Sequence, residues 1–417
     1  MIHDRAIPVV ATACYALCAC SADEASIEAA GPDAASVHEA VLTLDTHVDI
    51  PLDFATTNVD PLAADLQVNL QKMADGRLDA AFFIVYVSQT ERTDANYLQA
   101  QADARTKFAA IHRMAEDLYP DRIQIAYSAD DVARISATGK LVAAIGIENG
   151  YVIGKDVRLL DDYYALGARY LTLVHDGDND VAHSARPKPE LGDAADESAG
   201  VTELGAQVIA RLNRLGMMVD VSHASKQSAL DAMRLSEAPV IASHSGVSGV
   251  TEHRRNMDDE TLLALKQSGG VIQVVAYNDY LKVQPEAQRA AVRALTERLG
   301  VPITLGVDAM SAAQRSQYEL GMADINRRWP RAEVGDLVDH IDYAVRLIGI
   351  DHVGISSDFG GGGGVVGWSD ARETPNVTRE LRSRGYSEAD VGKLWSGNLL
   401  RVWRDVERVA ADLASKD

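Results

Sequence analysis

Cysteine is almost missing from this chain of 417 residues. Its three cysteines, Cys14, Cys18 and Cys20, all lie within the first twenty residues. The rest of the chain therefore has neither disulfide bonds nor thiolate metal ligands. Any metal site in it must be built from histidine and carboxylate side chains.

The sequence is also poor in basic residues and in long apolar runs. It has 40 Lys and Arg against 61 Asp and Glu, a formal net charge of -21. Because nucleic-acid binding needs a basic surface, this balance argues against a nucleic-acid partner. Beyond the N-terminus no run is long and apolar enough to span a bilayer. Hydrophobic residues still make up 47% of the chain, enough for a large core.

The first twenty residues are typical of an export signal. Arg5 precedes a stretch of small apolar residues, and residues 17–20 (LCAC) resemble the cleavage box of a bacterial lipoprotein. We expect residues 1–20 to be a signal peptide with Cys20 as the lipidated residue; the alternative is an ordinary apolar start. Residues 21–38 are predicted to be a flexible tether. The protein is then exported, and is either periplasmic or attached to the membrane through Cys20.

Strand-like apolar runs alternate with helical patterns from residue 40 onward. Eight such runs are AVLTLDTHVD, LDAAFFIVYV, LVAAIGIE, ARYLTLV, VDVSH, VIASH, GGVIQVVAY and HVGISSDF. This alternation predicts an α/β fold, an enlarged (β/α)₈ TIM barrel with loop and helical insertions, as a single domain over residues 39–417. A further strand-like run, PITLGVD at 302–308, is the weak point of the count.

Polar residues recur where these predicted strands end. They are His47 and Asp49 on the first, Glu148 on the third, His175 on the fourth, His223 on the fifth, His244 on the sixth and Asp358 on the eighth. A parallel barrel gathers its chemistry at the carboxyl ends of its strands. Taken alone, either His223 or His244 is better explained as a buried ring bonded to the backbone. Their regular placement favours one shared site.

Five of these residues suit a pair of metal ions. His47 and Asp49 leave the same face of a strand, and Glu148 can bridge two cations with its two oxygens. His223 and His244 add two more imidazoles. Nitrogen and oxygen ligands without sulfur suit Zn²⁺ best, with Mn²⁺, Co²⁺ or Fe²⁺ as alternatives. Five ligands exceed the need of one open catalytic zinc but match two ions that share a carboxylate, so the set predicts a hydrolase.

The chain resembles the membrane (renal-type) dipeptidases, zinc metallopeptidases of the amidohydrolase-like barrel group. The matching stretches are LDTHVDIP, IGIENG, GARYLTLVHDGDND, GVTELGAQVIARLNRLGMMVDVSHAS, PVIASHSGV, HRRNMDDE and DHVGISSDF. They cover most of residues 40–400 in the order of the family, and together they are highly specific.

This resemblance implies two Zn²⁺ per subunit, a homodimer, and hydrolysis of L-L dipeptides by a metal-bridging hydroxide, and it leaves L-D dipeptides open as further substrates. It assigns His47 and Asp49 to one zinc, His223 and His244 to the other, and Glu148 to the bridge. It also implies that His175 contacts the scissile carbonyl, that Arg255 receives the free carboxylate of the substrate, and that Asp358 passes a proton to the leaving amine.

Three of these roles have structural alternatives in the sequence. Arg255 would otherwise form a surface ion pair with Asp258 or Asp259. His175 would be a loop histidine bonded to Asp176 or Asp178, and Asp358 would brace the glycines that follow it.

The sequence departs from the family pattern at two places. Gly360 to Gly364 replace the usual acidic residue after the SDF motif, and we expect this run to be a flexible segment that alters the mouth of the site. His183 stands where an aspartate is common, and we expect it to be a solvated loop residue, with substrate contact as the alternative. His253 and His352 are predicted to be structural.

Two other functions compete with the dipeptidase. A related amidohydrolase would act on N-acyl amino acids or other small amides. A surface lipoprotein would keep the barrel only for binding, although the intact ligand set argues against that.

Overall fold

A ring of eight parallel strands forms the centre of the computed structural model, which describes residues 33–194, 199–301 and 310–416. The described residues contain ten strands, of which β3 and β8 lie outside the ring: β1 (Leu44–Asp49), β2 (Ala80–Tyr86), β3 (Ile123–Ile125), β4 (Leu141–Glu148), β5 (Ala168–Thr172), β6 (Met218–Asp220), β7 (Ile241–Val247), β8 (Asn256–Met257), β9 (Val271–Val275) and β10 (Val353–Ser356). Around the ring the order is β1-β2-β4-β5-β6-β7-β9-β10. Asp49 N donates to Phe359 O at 2.8 Å, just past β10, and closes the ring.

The barrel prediction is confirmed, and each of the eight predicted strands corresponds to one strand of the ring. The sequence pattern missed two short strands: β3 pairs with β4, and β8 pairs with β7. The ambiguous run at 302–308 lies outside the described residues.

Helices surround the ring and fill the connections. They are α1 (Ala34–Ala40), α2 (Leu70–Gly76), α3 (Asp94–His112), α4 (Ala129–Ser136), α5 (Leu159–Ala165), α6 (Glu203–Leu215), α7 (Lys226–Leu235), α8 (Asp259–Gln267), α9 (Asn278–Leu281), α10 (Glu286–Arg298), α11 (Ala312–Arg328), α12 (Val334–Ile348), α13 (Thr374–Ser383), α14 (Glu388–Gly392) and α15 (Asn398–Ala414). Thr202 caps the start of α6, since its side chain accepts from Gly205 N. Helices α9 to α12 belong to the enlarged connection between β9 and β10.

Alternation along the strands separates two apolar layers. Ala81, Phe83 and Val85 belong to the large apolar cluster that the surrounding helices share, whereas Phe82 belongs to the smaller cluster inside the barrel. There the ring of Phe82 lies 5.6 Å from that of Trp403 on α15. Side chains therefore fill the amino-terminal end of the barrel, and polar groups collect at the opposite end.

The folded unit begins earlier than the predicted boundary at residue 39. Helix α1 contains residues 34–38, which the composition predicts to be part of a flexible tether. Val37 and His38 are buried, and His38 Nδ1 lies 2.7 Å from the hydroxyl of Thr378. These contacts tie the segment to the rest of the domain. From Ala34 onward the chain is one compact unit.

No helix of the described residues combines the length and the apolar composition needed to cross a bilayer.

Candidate metal centre and active site

The predicted polar residues come together at the carboxyl end of the barrel. Six of them line one cavity of about 550 Å³: Asp49, Glu148, His175, His223, His244 and Asp358. His47 lies beneath them and is fully buried. The sequence predicts that these side chains meet at one end of the barrel, and in the structure they do.

Their positions on the strands differ in part from the prediction. Asp49 and Glu148 end β1 and β4 as expected. His175 and His223 lie three residues beyond β5 and β6, since both strands end earlier than the apolar runs predict. His244 lies inside β7 rather than at its end. Asp358 follows β10 by two residues.

Glu148 stands between two groups of possible ligands. Its Oε2 is 3.4 Å from His47 Nε2. Its other oxygen, Oε1, is 3.2 Å from His223 Nε2 and 3.4 Å from His244 Nε2. Each carboxylate oxygen thus faces a different set of imidazoles, which is the arrangement that a bridging ligand requires.

Buried atoms without partners show that these residues fit metal ions. Among the described residues His47 Nε2 and Asp49 Oδ1 have no hydrogen-bond partner, although both are buried. His47 Nε2 and Asp49 Oδ2 are 3.4 Å apart, and tetrahedral zinc ligands are roughly 3.3 Å apart. His223 Nε2 and His244 Nε2 are only 2.9 Å apart, so a cation is the natural partner of both.

Each of the three histidines around Glu148 has its other ring nitrogen occupied. His47 Nδ1 lies 3.0 Å from the hydroxyl of Tyr170. His223 Nδ1 lies 3.1 Å from Asp176 Oδ1, and His244 Nδ1 lies 2.9 Å from the hydroxyl of Ser243. Such contacts fix the ring orientation and leave Nε2 for a metal, as is usual for ligating histidines.

Tyr170 reaches His47 because residue 146 is a glycine. A Cβ atom at Gly146 would lie 2.2 Å from the ring of Tyr170. The IGIE motif therefore leaves room for an aromatic ring beneath the site.

Two buried aspartates shape the backbone on which the ligands sit. Asp45 Oδ1 accepts from His47 N at 3.2 Å and from Ser357 N at 3.0 Å, which joins β1 to the segment that carries Asp358. Asp220 Oδ1 accepts from Ser222 N at 3.0 Å and from Ser243 N at 2.8 Å. Neither aspartate was predicted from the sequence, although each stands in an apolar run just before a histidine, in LDTH and VDVSH.

Backbone strain is concentrated at the same place. His223 and Asp358 have φ values of 64° and 57°, in the left-handed region that residues other than glycine rarely adopt. Strain of this kind persists where the surrounding structure imposes it, commonly at functional sites.

The electrostatics of the centre favour cations. Burial alone would lower the pKa of His47, but Glu148 and Asp49 hold it well above its ordinary value. Burial opposes ionisation of Glu148, yet His47 and His175 hold its pKa well below the usual range. These opposite shifts show strong attraction between positive charge and the carboxylates, an attraction that a divalent cation would satisfy.

The two residues at the edge of the centre titrate differently. Burial, with the imidazole of His223, lowers the pKa of His175 to about 3. Burial raises the pKa of Asp358 well above its ordinary value. Asp358 Oδ1 is 4.0 Å from His47 Nε2, and its peptide oxygen accepts from Gly361 N and Gly363 N. Asp358 therefore braces the glycine run through its backbone while its side chain faces the centre.

Arg255 is buried, so the alternative interpretation, that it forms an ion pair on the surface, is wrong. Its Nη2 donates to His244 O at 3.1 Å, and its guanidinium lies 5.2 Å from the centre of the Tyr280 ring. Asp258 pairs with Lys226 instead. Arg255 lines a neighbouring cavity of about 750 Å³ rather than the metal-site cavity, and Arg186 lines both.

Arg186 and Asp176 form an ion pair that was not predicted from the sequence. Arg186 Nε donates to Asp176 Oδ1 at 2.9 Å, and Arg186 Nη2 is 2.6 Å from Asp176 Oδ2. Asp176 thus binds both this arginine and His223. The alternative in which His175 is bonded to Asp176 or Asp178 is not seen, because those carboxylates contact His223 and His183.

The glycine run is not the loose segment that its composition suggests. Gly360 N donates to Gln67 Oε1 at 2.9 Å, and Gly364 N donates to Ala276 O at 2.7 Å. A Cβ at Gly361 would lie 2.4 Å from carboxylate oxygens of both Asp49 and Asp358. The run is a hydrogen-bonded turn, and glycine keeps space open beside the two carboxylates.

His183, His253 and His352 do not line the metal-site cavity. His183 is about a third exposed, with Nδ1 2.9 Å from Asp178 Oδ2, as a loop residue would be. His352 Nδ1 lies 2.8 Å from Gly270 O, and His253 stacks on Tyr280 at 4.7 Å.

Comparison with known proteins places this site in a family. The family model for membrane dipeptidases (peptidase family M19) matches residues 32–417. The chain is 31% identical to dipeptidase tcpJ of Claviceps purpurea over 349 residues, which are 82% of this chain and 70% of that protein. It is 31% identical to dipeptidase aclJ of Aspergillus oryzae over 354 residues, 84% of this chain and 72% of that one.

A solved structure agrees with these matches. The crystal structure of the probable dipeptidase PvdM from Pseudomonas aeruginosa is 36% identical, has a TM-score of 0.80, and aligns over 90% of this chain and 98% of its own. The metal-binding cluster, the barrel and these similarities agree: the chain belongs to the membrane dipeptidase family and is a metal-dependent dipeptidase.

Proposed function

We propose that the chain hydrolyses dipeptides with two divalent cations, zinc by preference, bridged by Glu148. His47 and Asp49 would hold one ion, and His223 and His244 the other. The main support for this proposal is the orientation of the Glu148 carboxylate. Its Oε2 faces His47, while its Oε1 faces His223 and His244. A carboxylate oriented in this way supports a shared ligand between two ions.

The remaining residues have roles on either side of the reacting bond. When bound, the cations supply Lewis acidity, which lowers the pKa of a water and polarises the scissile carbonyl. His175, at the cavity wall 3.8 Å from Glu148 Oε1, would hydrogen-bond the carbonyl oxygen. Asp358, beside His47, would pass a proton to the leaving amine. Arg255 would hold the terminal carboxylate of the substrate, because a guanidinium binds a carboxylate through two parallel hydrogen bonds.

A stereochemically complete dipeptide panel tests this function. The purified protein is assayed with L-L, L-D, D-L and D-D dipeptides and with N-acetyl amino acids, with zinc added and with chelator. We expect zinc-dependent hydrolysis of L-L and of some L-D dipeptides, and little of N-acetyl amino acids. Faster turnover of the N-acetyl compounds would favour the amidohydrolase alternative, and no turnover at all would favour a binding protein.

A pair of histidine variants controls for general damage. His223→Ala should abolish hydrolysis, since it removes a proposed ligand. His183→Ala changes the same side chain on a neighbouring loop, where His183 bonds Asp178 instead of lining the cavity. It should keep most of the activity. Equal loss in both variants would contradict the assignment of His223.

We further propose that the protein is exported, anchored through a lipid on Cys20, and assembled as a homodimer. The LCAC sequence that ends at Cys20 supports export and the lipid anchor, and the family resemblance supports the homodimer. Intact mass measurement after expression in a bacterial host would show whether chains start at Cys20 with added acyl mass. Light scattering would give the oligomeric state.

A further inference from the structure

Lys107 is a buried cation in the wall of the metal-site cavity. It lies on α3, and only 7% of its surface is exposed. Its side chain nevertheless reaches the cavity, which it lines together with Asp49 and Tyr86. A lysine is rarely so deeply buried without a partner.

The ammonium of Lys107 has no ion-pair or hydrogen-bond partner within the described ranges. Asp103, four residues earlier on the same helix, is placed for an ion pair but instead accepts from Gln99 Nε2 at 2.8 Å. The Lys107 Nζ atom lies 5.5 Å from the centre of the Tyr86 ring. Burial lowers the pKa of Lys107, while the charges of Asp49, Glu148 and Asp103 act in the opposite direction. An anionic ligand would relieve this cost.

A second cavity extends the site on the side of Lys107. It has a volume of about 300 Å³ and shares Lys107 and Tyr86 with the metal-site cavity. Ser88, Asn96 and Asp103 are among its other lining residues. There is therefore room beside Lys107 for a side chain of a bound substrate.

Lys107 and Arg255 lie on opposite sides of the barrel mouth. Lys107 is on the helix that follows β2, the second strand of the ring, and Arg255 follows β7, the sixth. Three strands of the ring, β4, β5 and β6, lie between β2 and β7, and these three strands lead to Glu148, His175 and His223. A dipeptide whose C-terminal carboxylate lies at Arg255 would thus extend its N-terminal residue toward Lys107. The like charge of Lys107 would repel the substrate amine, so the group that it attracts must be on the side chain.

We propose that Lys107 forms a subsite for an acidic side chain, so that the enzyme prefers dipeptides with N-terminal Glu or Asp. This inference rests on the proposed dipeptidase function and specifies its substrate class. The ammonium would bind the side-chain carboxylate in the cavity that Lys107 and Tyr86 line together.

The test compares Glu-Ala with Gln-Ala, which has the same shape but no charge. For the metal-loaded wild type we expect kcat/KM to be about 10- to 100-fold higher for Glu-Ala, the usual gain from a hydrogen bond to a charged group. In Lys107→Met this ratio should fall toward one, whereas Lys107→Arg should keep a preference for Glu-Ala. Lys140→Met is the matched control at the other end of the barrel, where Lys140 Nζ donates to Pro120 O, and its ratio should equal that of wild type.

Direct binding separates failure of the subsite from failure of the proposed function. Calorimetry with L-glutamate and L-glutamine needs no turnover, and we expect glutamate to bind at least tenfold more tightly to wild type but not to Lys107→Met. Equal affinities in wild type, or a preference that survives in Lys107→Met, would overturn the subsite even if dipeptides are hydrolysed. A preference for Ala-Glu over Ala-Gln, without one for Glu-Ala, would overturn the assignment to the N-terminal residue.

Discussion

The hydroxyl of Tyr170 lies 3.0 Å from His47 Nδ1 and donates its proton to Thr46 O, also at 3.0 Å. Because that proton is committed to Thr46, the hydroxyl must accept from an N–H at His47 Nδ1. The lone pair of the neutral imidazole is then on Nε2, which faces Asp49 and Glu148. This contact therefore prepares His47 to bind a metal.

Removing this hydroxyl should weaken metal binding without unfolding the protein. For Tyr170→Phe we expect a loss of about 10- to 100-fold in metal affinity, the usual effect of removing a partner that orients a ligand. Competition with a chromogenic chelator measures it. Tyr163→Phe is the control, because Tyr163 is equally buried but donates to Val152 O outside the site. Equal affinities in wild type and Tyr170→Phe would contradict the role of Tyr170.

Asp176 should have the corresponding effect on His223. Asp176→Asn replaces the carboxylate that faces His223 Nδ1 and that also binds Arg186. We expect weaker binding of one metal ion and lower activity that excess metal partly restores. Asp178→Asn changes a similar aspartate–histidine pair, with His183, outside the cavity. Its metal titration should resemble that of wild type, and an equal effect of both changes would refute the assignment.

Arg255 should affect substrate binding more than chemistry. Arg255→Ala should raise KM for dipeptides by about 10- to 100-fold with a smaller change in kcat, because it removes a charge-assisted contact to the carboxylate. Dipeptide amides lack that carboxylate, so the variant and wild type should differ little on them. The assignment fails if the variant hydrolyses dipeptides at wild-type KM.

Stability should fall in acid because of His340, which lies away from the metal centre. Its Nδ1 accepts from Val247 N at 3.1 Å, and its Nε2 lies 3.3 Å from Leu281 O. Burial lowers the pKa of His340 to about 4 from an ordinary 6.5. In the unfolded chain the imidazole of His340 therefore becomes protonated below pH 6.5, whereas in the folded chain it becomes protonated only near pH 4. His340 should reduce the free energy of unfolding over this interval, by roughly 3 kcal/mol in all.

Urea unfolding of wild type and His340→Asn between pH 4 and 8 measures this contribution. The difference between the two proteins should be largest above pH 6.5 and should shrink as the pH falls toward 4. A difference independent of pH would show that His340 does not titrate in this way.

The fold and the main site were predictable because both leave periodic signals in the sequence. Eight apolar runs with helices between them indicate a barrel, and polar residues at strand ends must meet at its carboxyl end. That reasoning brought His47, Glu148 and His223 together correctly. It placed His244 at the end of a strand in which it is internal, because a short apolar run does not show how far pairing continues.

The supporting residues were not predictable because their contacts join distant parts of the chain. Tyr170 touches His47 across 123 residues, and nothing in the local pattern of either stretch shows it. Lys107 looks like an ordinary helix residue until its side chain is found in the cavity. Helix α1 likewise forms because Val37 and His38 pack against the rest of the domain. The alanine- and serine-rich composition of this stretch does not indicate that packing.

The bridge at Glu148 is tested most directly by counting metal ions per chain in wild type and Glu148→Gln, after loading with zinc and dialysis. The amide keeps the shape of the side chain but cannot bridge two cations as a carboxylate does. We predict two ions per wild-type chain, and at most one, without hydrolytic activity, in Glu148→Gln. One ion or none in wild type, or two retained by the active variant, would contradict the account.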